Sequence, residues 1–245
     1  MNLLRLILLV FIWITPVYGN SIYNLIKIPN LEIYEINTKN RLKYFYAKSS
    51  FRLGVKKNIV CLNPNQKDLE IKYKTIYKNL DIYSYDYLKK INLKYIVLCE
   101  NLSISGINTA GIPDNIMKTL ILDIKFDQKY FERVIHHEVF HIINDQHKKL
   151  FNENEWKKFN DLKFIYAKCS TCTENLGLDK YKKTKGFFTE YSKSTASEDM
   201  AEVYSHMIYL DDEKIKKIRT LDGILNKKIS YIESKIKKID DSFVF

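Results

Sequence analysis

Glycine and proline are scarce in this chain. There are seven and four of them in 245 residues, under half the usual combined share of about 12%. That excludes a collagen-like rod and a proline-rich stalk, and it disfavours a sandwich of many short strands, which needs frequent turns. Arginine is scarce too: of 40 basic residues, only Arg5, Arg41, Arg52, Arg133 and Arg219 are arginine, beside 29 acidic residues and a net charge of +11. Proteins that grip phosphate lean on the planar arginine fork. The lysine excess therefore reads as a solvated surface, and no nucleic-acid partner is expected. Long apolar runs are absent as well: the longest, Leu6 to Ile14, falls short of the roughly 20 residues of a membrane span.

What is present begins with that run. Arg5, the apolar stretch and then Val17-Tyr18-Gly19 fit a secretory signal cleaved after Gly19. Residues 1–19 are expected to be removed, leaving a secreted or periplasmic chain with no stable membrane span. In an oxidising compartment Cys61, Cys99, Cys169 and Cys172 allow three pairings. Cys169-Ser-Thr-Cys172 could close on itself, leaving Cys61 with Cys99. Neither a second Cys or His pair for a zinc knuckle nor a βαβ frame for a redox CxxC is visible, so structural staples are expected.

With 46% hydrophobic residues the chain can bury a core. Residues 20–60 alternate polar and apolar and predict short strands and loops. Residues 67–92 read as one or two helices. Ile96-Val97-Leu98 and Leu120-Ile121-Leu122 read as strands separated by a loop containing Gly106, Gly111 and Pro113. A helix is expected from the N-cap Asp127 to about Asn144, a second from Ser194 or Thr195 to about Leu210, and a lysine-rich third over roughly 222–240. Ordinary packing with snorkelled lysines accounts for the third.

The first of these helices carries His137-Glu138-Val139-Phe140-His141, an HExxH. Histidines four apart on a helix share a face, so both imidazoles can reach one ion. Zn2+ suits such a pair, and Glu138 stands beside it where it can take a proton from the attacking water. His136 has Phe140 at i+4 and reads as packing or as support behind the ligands. A catalytic zinc also needs a third protein ligand. His147 sits where the pattern HExxHxxGxxH would place one, but Asn144 stands where that pattern has glycine. The stronger candidate is Glu198, which shares a helix face with Ala201, Glu202 and Ser205. The small residues there would allow close approach to the HExxH helix, and Glu202 could support a ligand imidazole. Thr195-x-x-Glu198 also reads as a capping box with solvated acids.

The stretch from Thr189 through Tyr191, Glu198, Ala201, Glu202 and Tyr204 resembles the active-site helix of gluzincins of the anthrax lethal factor type, together with the secreted Pro-Pro endopeptidases. The resemblance covers roughly residues 105–245. It implies His137, His141 and Glu198 as zinc ligands, Glu138 as general base, Tyr191 as donor to the developing oxyanion, and Glu202 as supporting carboxylate. It also implies a strand that pairs with an extended substrate, for which Leu120–Ile124 is the natural candidate. The interval from His141 to Glu198 is long, and its CxxC-bearing insert, about residues 166–185, could form a flap over the cleft or a stapled exosite.

The expected fold is α+β, a zincin-like metallopeptidase domain with a small strand-bearing N-terminal part and a helical C-terminal half. Residues 20–100 are either a domain of their own or part of the same unit, and residues 101–245 are the catalytic domain. The expected activity is that of a secreted, monomeric zinc endopeptidase acting on a polypeptide substrate. The competing reading is a secreted protein of the same fold that has lost catalysis and binds a partner.

Overall fold

The computed structural model describes residues 30–171, 177–179 and 185–245. The expected signal segment, Cys172 and parts of the CxxC insert lie outside those residues. The architecture is α+β, with strands in the N-terminal half and helices in the C-terminal half.

The strands are organised around β5 (Tyr95–Ile104), which belongs to two wings at once. Its first half pairs in parallel with β2 (Lys43–Ala47) on one side and β8 (Thr119–Asp123) on the other. β1 (Leu31–Glu35) flanks β2, and β7 (Gly111–Asp114) flanks β8, both antiparallel. Its second half pairs antiparallel with β4 (Ile59–Leu62) and β6 (Ile107–Asn108), and β3 (Phe51–Leu53) lies outside β4. The change of partners falls at Asn101, whose φ of 51° is left-handed, a conformation asparagine tolerates better than most. The buried Asp123 carboxylate accepts from the backbone N–H groups of Asn101 and Leu102 there, at 2.9 and 3.1 Å.

Alternation along β5 and β8 separates two cores. Ile96, Leu98, Leu120 and Leu122 face the helices, in one cluster with Phe131, Ile135 and Val139. Val97, Cys99 and Ile121 face the other way and pack with Phe51, Ile59 and Cys61. The Cys61–Cys99 disulfide lies inside that smaller core, with Cα atoms 5.8 Å apart, and is the pairing the CxxC spacing leaves. Cys169 is also disulfide-bonded. Because the Cys61–Cys99 bridge closes a 38-residue separation, the Cys61→Ala/Cys99→Ala variant is expected to lose about 2–4 kcal/mol of unfolding free energy in urea. Its zinc content should stay unchanged, because the bridge lies on the sheet face away from the helices.

Helices α1 (Gln66–Leu80) and α2 (Tyr85–Lys90) precede β5, and α3 (Gln128–Gln146) follows β8. Asp127 caps α3 through the N–H of Lys129, as expected. After α4 (Glu153–Lys157), α5 (Ala196–Tyr209) starts at the N-cap Thr195. The chain ends in α6 (Asp212–Leu221) and α7 (Gly223–Ile239), which Asp211 and Asp222 cap.

One expectation about α7 is overturned. Lys228 does not snorkel. It is fully buried, donating to Asp199 Oδ2 and to the Gly186 carbonyl, both at 2.6 Å. Asp199 Oδ2 also accepts from Trp156 Nε1 at 2.8 Å and from the Tyr166 hydroxyl at 2.5 Å. A buried lysine is stable only when paired and hydrogen-bonded, and this carboxylate meets that need. Tyr166 and Gly186 flank the CxxC-bearing segment, so the pair anchors both of its ends to α5 and α7. Among the described residues, no helix is long and apolar enough to cross a membrane.

Candidate metal centre

Two capped helices build the site. On α3, His137 and His141 lie one turn apart. α5 packs directly on α3, with Ala201 and Ser205 fully buried, and its first turn presents Glu198. Thr195 Oγ1 accepts from the Glu198 N–H at 3.2 Å, which is half of a capping box. The Glu198 carboxylate does not complete that box but turns to the histidines. His137 Nε2 lies 2.9 Å from Glu198 Oε2, His141 Nε2 lies 3.2 Å from the same oxygen, and the two nitrogens are 3.2 Å apart. Two imidazole nitrogens and a carboxylate oxygen thus meet at one point. Ligand atoms about 2.0–2.1 Å from a tetrahedral zinc stand roughly 3.3 Å from one another, so this donor set fits Zn2+ in chemistry and in spacing.

The second carboxylate of α5 lies behind the first. Glu202 Oε1 accepts from His137 Nδ1 at 2.9 Å, so Nε2, the nitrogen turned to Glu198, is the one that would bind a zinc ion. Arg133, four residues before His137, donates to Glu202 Oε1 and Oε2 at 2.6 and 2.5 Å, and Thr189 Oγ1 donates to Oε2 at 2.7 Å. Burial opposes the Glu202 charge, yet Arg133 and His137 hold its carboxyl well below the usual carboxylate range. Burial likewise opposes a charged His137, but its bonds to Glu198 and Glu202 hold it up at about 10. Glu138 stands on the other side of the balance. Burial pushes it up to about 7, against the pull of the two histidines.

Tyr191 enters from a 3-10 turn, Tyr191–Lys193, that is tied by its N–H to the Gly177 carbonyl at 3.2 Å. Its ring centroid lies 5.9 Å from that of His137. Burial, then Glu198 and Glu138, raise the phenol far above its ordinary range, so it stays a hydrogen-bond donor. His137, Glu138 and Tyr191 line a cleft of about 490 Å³, with Ile104, Ile107, Val134, Thr171 and Leu178 around them. Thr171 and Leu178 are described parts of the CxxC-bearing segment.

The structure therefore brings together His137, Glu138, His141, Tyr191, Glu198 and Glu202. It leaves His136 and His147 out. His136 bonds the Tyr83 hydroxyl and Asn79 Oδ1 in the core, and burial pulls it down to about 3. His147 caps α3 and donates to the Lys90 carbonyl at 3.0 Å. The strand expected to meet substrate is also corrected. β8 is paired on both sides, by β5 and β7, so its own edges are taken, and the outer strand on that side of the sheet is β7. Sequence reasoning missed Arg133 and Thr189. The signal for Arg133 was its i−4 spacing from His137 in a chain with so few arginines.

Comparison with known proteins gives one family and one fold. The model of the family described as "putative zinc-binding metallo-peptidase" matches residues 69–241. That match starts at α1, well before the region of the sequence resemblance. The crystal structure of a "putative zinc-binding metallo-peptidase" from Bacteroides caccae superposes with a TM-score of 0.51 at 20% identity, covering 83% of this chain and 81% of that one. At that identity the likeness is one of fold. No curated protein matches the chain.

Proposed function

This chain belongs to the zinc-binding metallo-peptidase family, and from that premise we propose that it is an exported zinc endopeptidase of the gluzincin type. The observation that carries the reading is the convergence of His137 Nε2, His141 Nε2 and Glu198 Oε2 beside a buried Glu138. When bound, zinc supplies a Lewis acid that polarises the peptide carbonyl and acidifies the attacking water. Glu138, poised near neutrality by burial, takes the proton of that water and passes it to the leaving amine. Tyr191, kept protonated, donates to the oxygen on which negative charge develops. Glu202, held by Arg133 and Thr189, accepts from His137 Nδ1 and fixes the ring.

Substrate would lie extended along the outer side of β7. Residues 30–100 belong to the same unit in this reading, because β2 and β8 share β5 and the family match crosses residue 100. Disulfide bonding is in keeping with export. The resemblance to lethal factor and the Pro-Pro endopeptidases supports the gluzincin assignment through Tyr191 and Glu198.

The test is metal analysis with a peptide-library digest. Purified protein should carry about one zinc per chain and cleave a subset of the library. It should stop on chelation and resume when zinc is restored. Zinc-loaded protein that cleaves nothing would instead support the non-catalytic binding reading.

A further inference from the structure

Gly111 opens the edge strand β7, and the space its side chain would take is already filled. A Cβ on Gly111 would stand 2.7 Å from Glu138 Cγ and 3.1 Å from Glu138 Cδ, with the Ile121 carbonyl oxygen also at 3.1 Å. The φ of Gly111 is not left-handed, so the position demands room and not an unusual backbone. Of the two residues, the Ile121 backbone cannot give, and Glu138 can give only by leaving its place. Ile121 lies in β8, whose five residues are all buried between β5 and β7. Glu138 is buried on α3, between residues whose side chains are committed: His137 to Glu202 and Glu198, and Val139 to the core. The strand cannot simply move outward, because Ile112, the next residue, is buried in the smaller core beside Ile121.

We infer that Gly111 is a positioning residue for the reaction: its missing side chain is the slot in which the Glu138 stem lies against the edge strand, setting the carboxylate at the height of a peptide laid along β7. The inference rests on the reading of Glu138 as the base. It adds that the edge strand which receives substrate also aims the proton acceptor. Any Cβ at 111 rotates Glu138 about its side-chain torsions, while the histidines, whose atoms are not among the three nearest that Cβ, keep their places.

The test uses Gly111→Ala in the full chain, with a peptide identified in the library digest as probe. Zinc content is expected to equal that of wild type and KM to stay within about threefold, while kcat falls by about 10²-fold, the scale of a misplacement near 1 Å. A merely structural role would not produce that split. A second readout needs no activity. The thermal midpoint of metal-free Gly111→Ala should fall, and Gly111→Ala/Glu138→Ala should recover most of the loss relative to Glu138→Ala alone, because the clashing stem is gone. Wild-type kcat in Gly111→Ala overturns the inference, as does a midpoint loss that is the same with and without the Glu138 side chain. If Glu138→Gln proves fully active, the reading of the base fails and the positioning role falls with it, although the midpoint coupling would still stand as packing. If Glu138→Gln is inactive but Gly111→Ala is not, the base stands and only the positioning role is refuted.

Discussion

Glu138→Gln is expected to cut peptide hydrolysis by about 10³-fold, within the 10²–10⁴-fold typical of a lost general base, and to leave zinc content unchanged. The isosteric amide keeps the shape of the side chain and its fit against Gly111. What it loses is the ability to take a proton. The metal should be retained because no ligand atom belongs to Glu138: the converging atoms come from His137, His141 and Glu198. Stability should hold or rise, since burial already disfavours the carboxylate and pushes it up to about 7, whereas a neutral amide carries no such penalty. The checks are zinc per chain by elemental analysis, kcat on a library-derived peptide, and the thermal midpoint. Full activity in a variant that binds zinc would remove Glu138 from the mechanism. Loss of zinc together with activity would mean that Glu138 shapes the site rather than acting in it.

Local features of the site were legible because local rules govern them. Asp127 and Thr195 are N-caps, the apolar stripes have helical period, and histidines four apart must share a face, so α3 and α5 could be drawn with their metal-facing side chains. That Glu198 reaches those histidines across a long insert was expected from the helix face it shares with Ala201, Glu202 and Ser205 and from the need of the two histidines for a third ligand, and the resemblance implied the same. Features set by partners far along the chain were hidden. β7 contains Gly111 and Pro113 and reads as loop; it is a strand because β8 pairs with it. The change of partners along β5 is held by Asp123, twenty-two residues past Asn101. Lys228 sits among lysines that face water, and nothing around it marks it as the one that meets Asp199 on another helix. Arg133 carried a local signal in its spacing from His137, but its partner, Glu202, lies sixty-nine residues on.

Glu202→Leu should be the most damaging substitution to stability at the site, and the reason lies with its partner. Arg133 is buried, and both Glu202 oxygens accept from one of its terminal nitrogens; among the described residues it also donates to the Leu178 carbonyl at 2.9 Å. Without Glu202 the buried guanidinium loses the carboxylate it is hydrogen-bonded to, a loss of about 3–5 kcal/mol for a broken buried pair. The same substitution strips His137 Nδ1 of its acceptor, and losing such a support typically weakens metal binding by about 10–100-fold. The two effects separate in Arg133→Met/Glu202→Leu. Removing both charges should return most of the stability, because a buried pair replaced by apolar groups costs little. Zinc affinity should stay as low as in the single variant, because His137 is still unsupported. Urea unfolding of the metal-free proteins and zinc competition against a chelator read the two quantities independently. Equal stability in the single and double variants would show that Glu202 is not there to balance Arg133, and zinc affinity restored in the double variant would show that it is not there to hold His137.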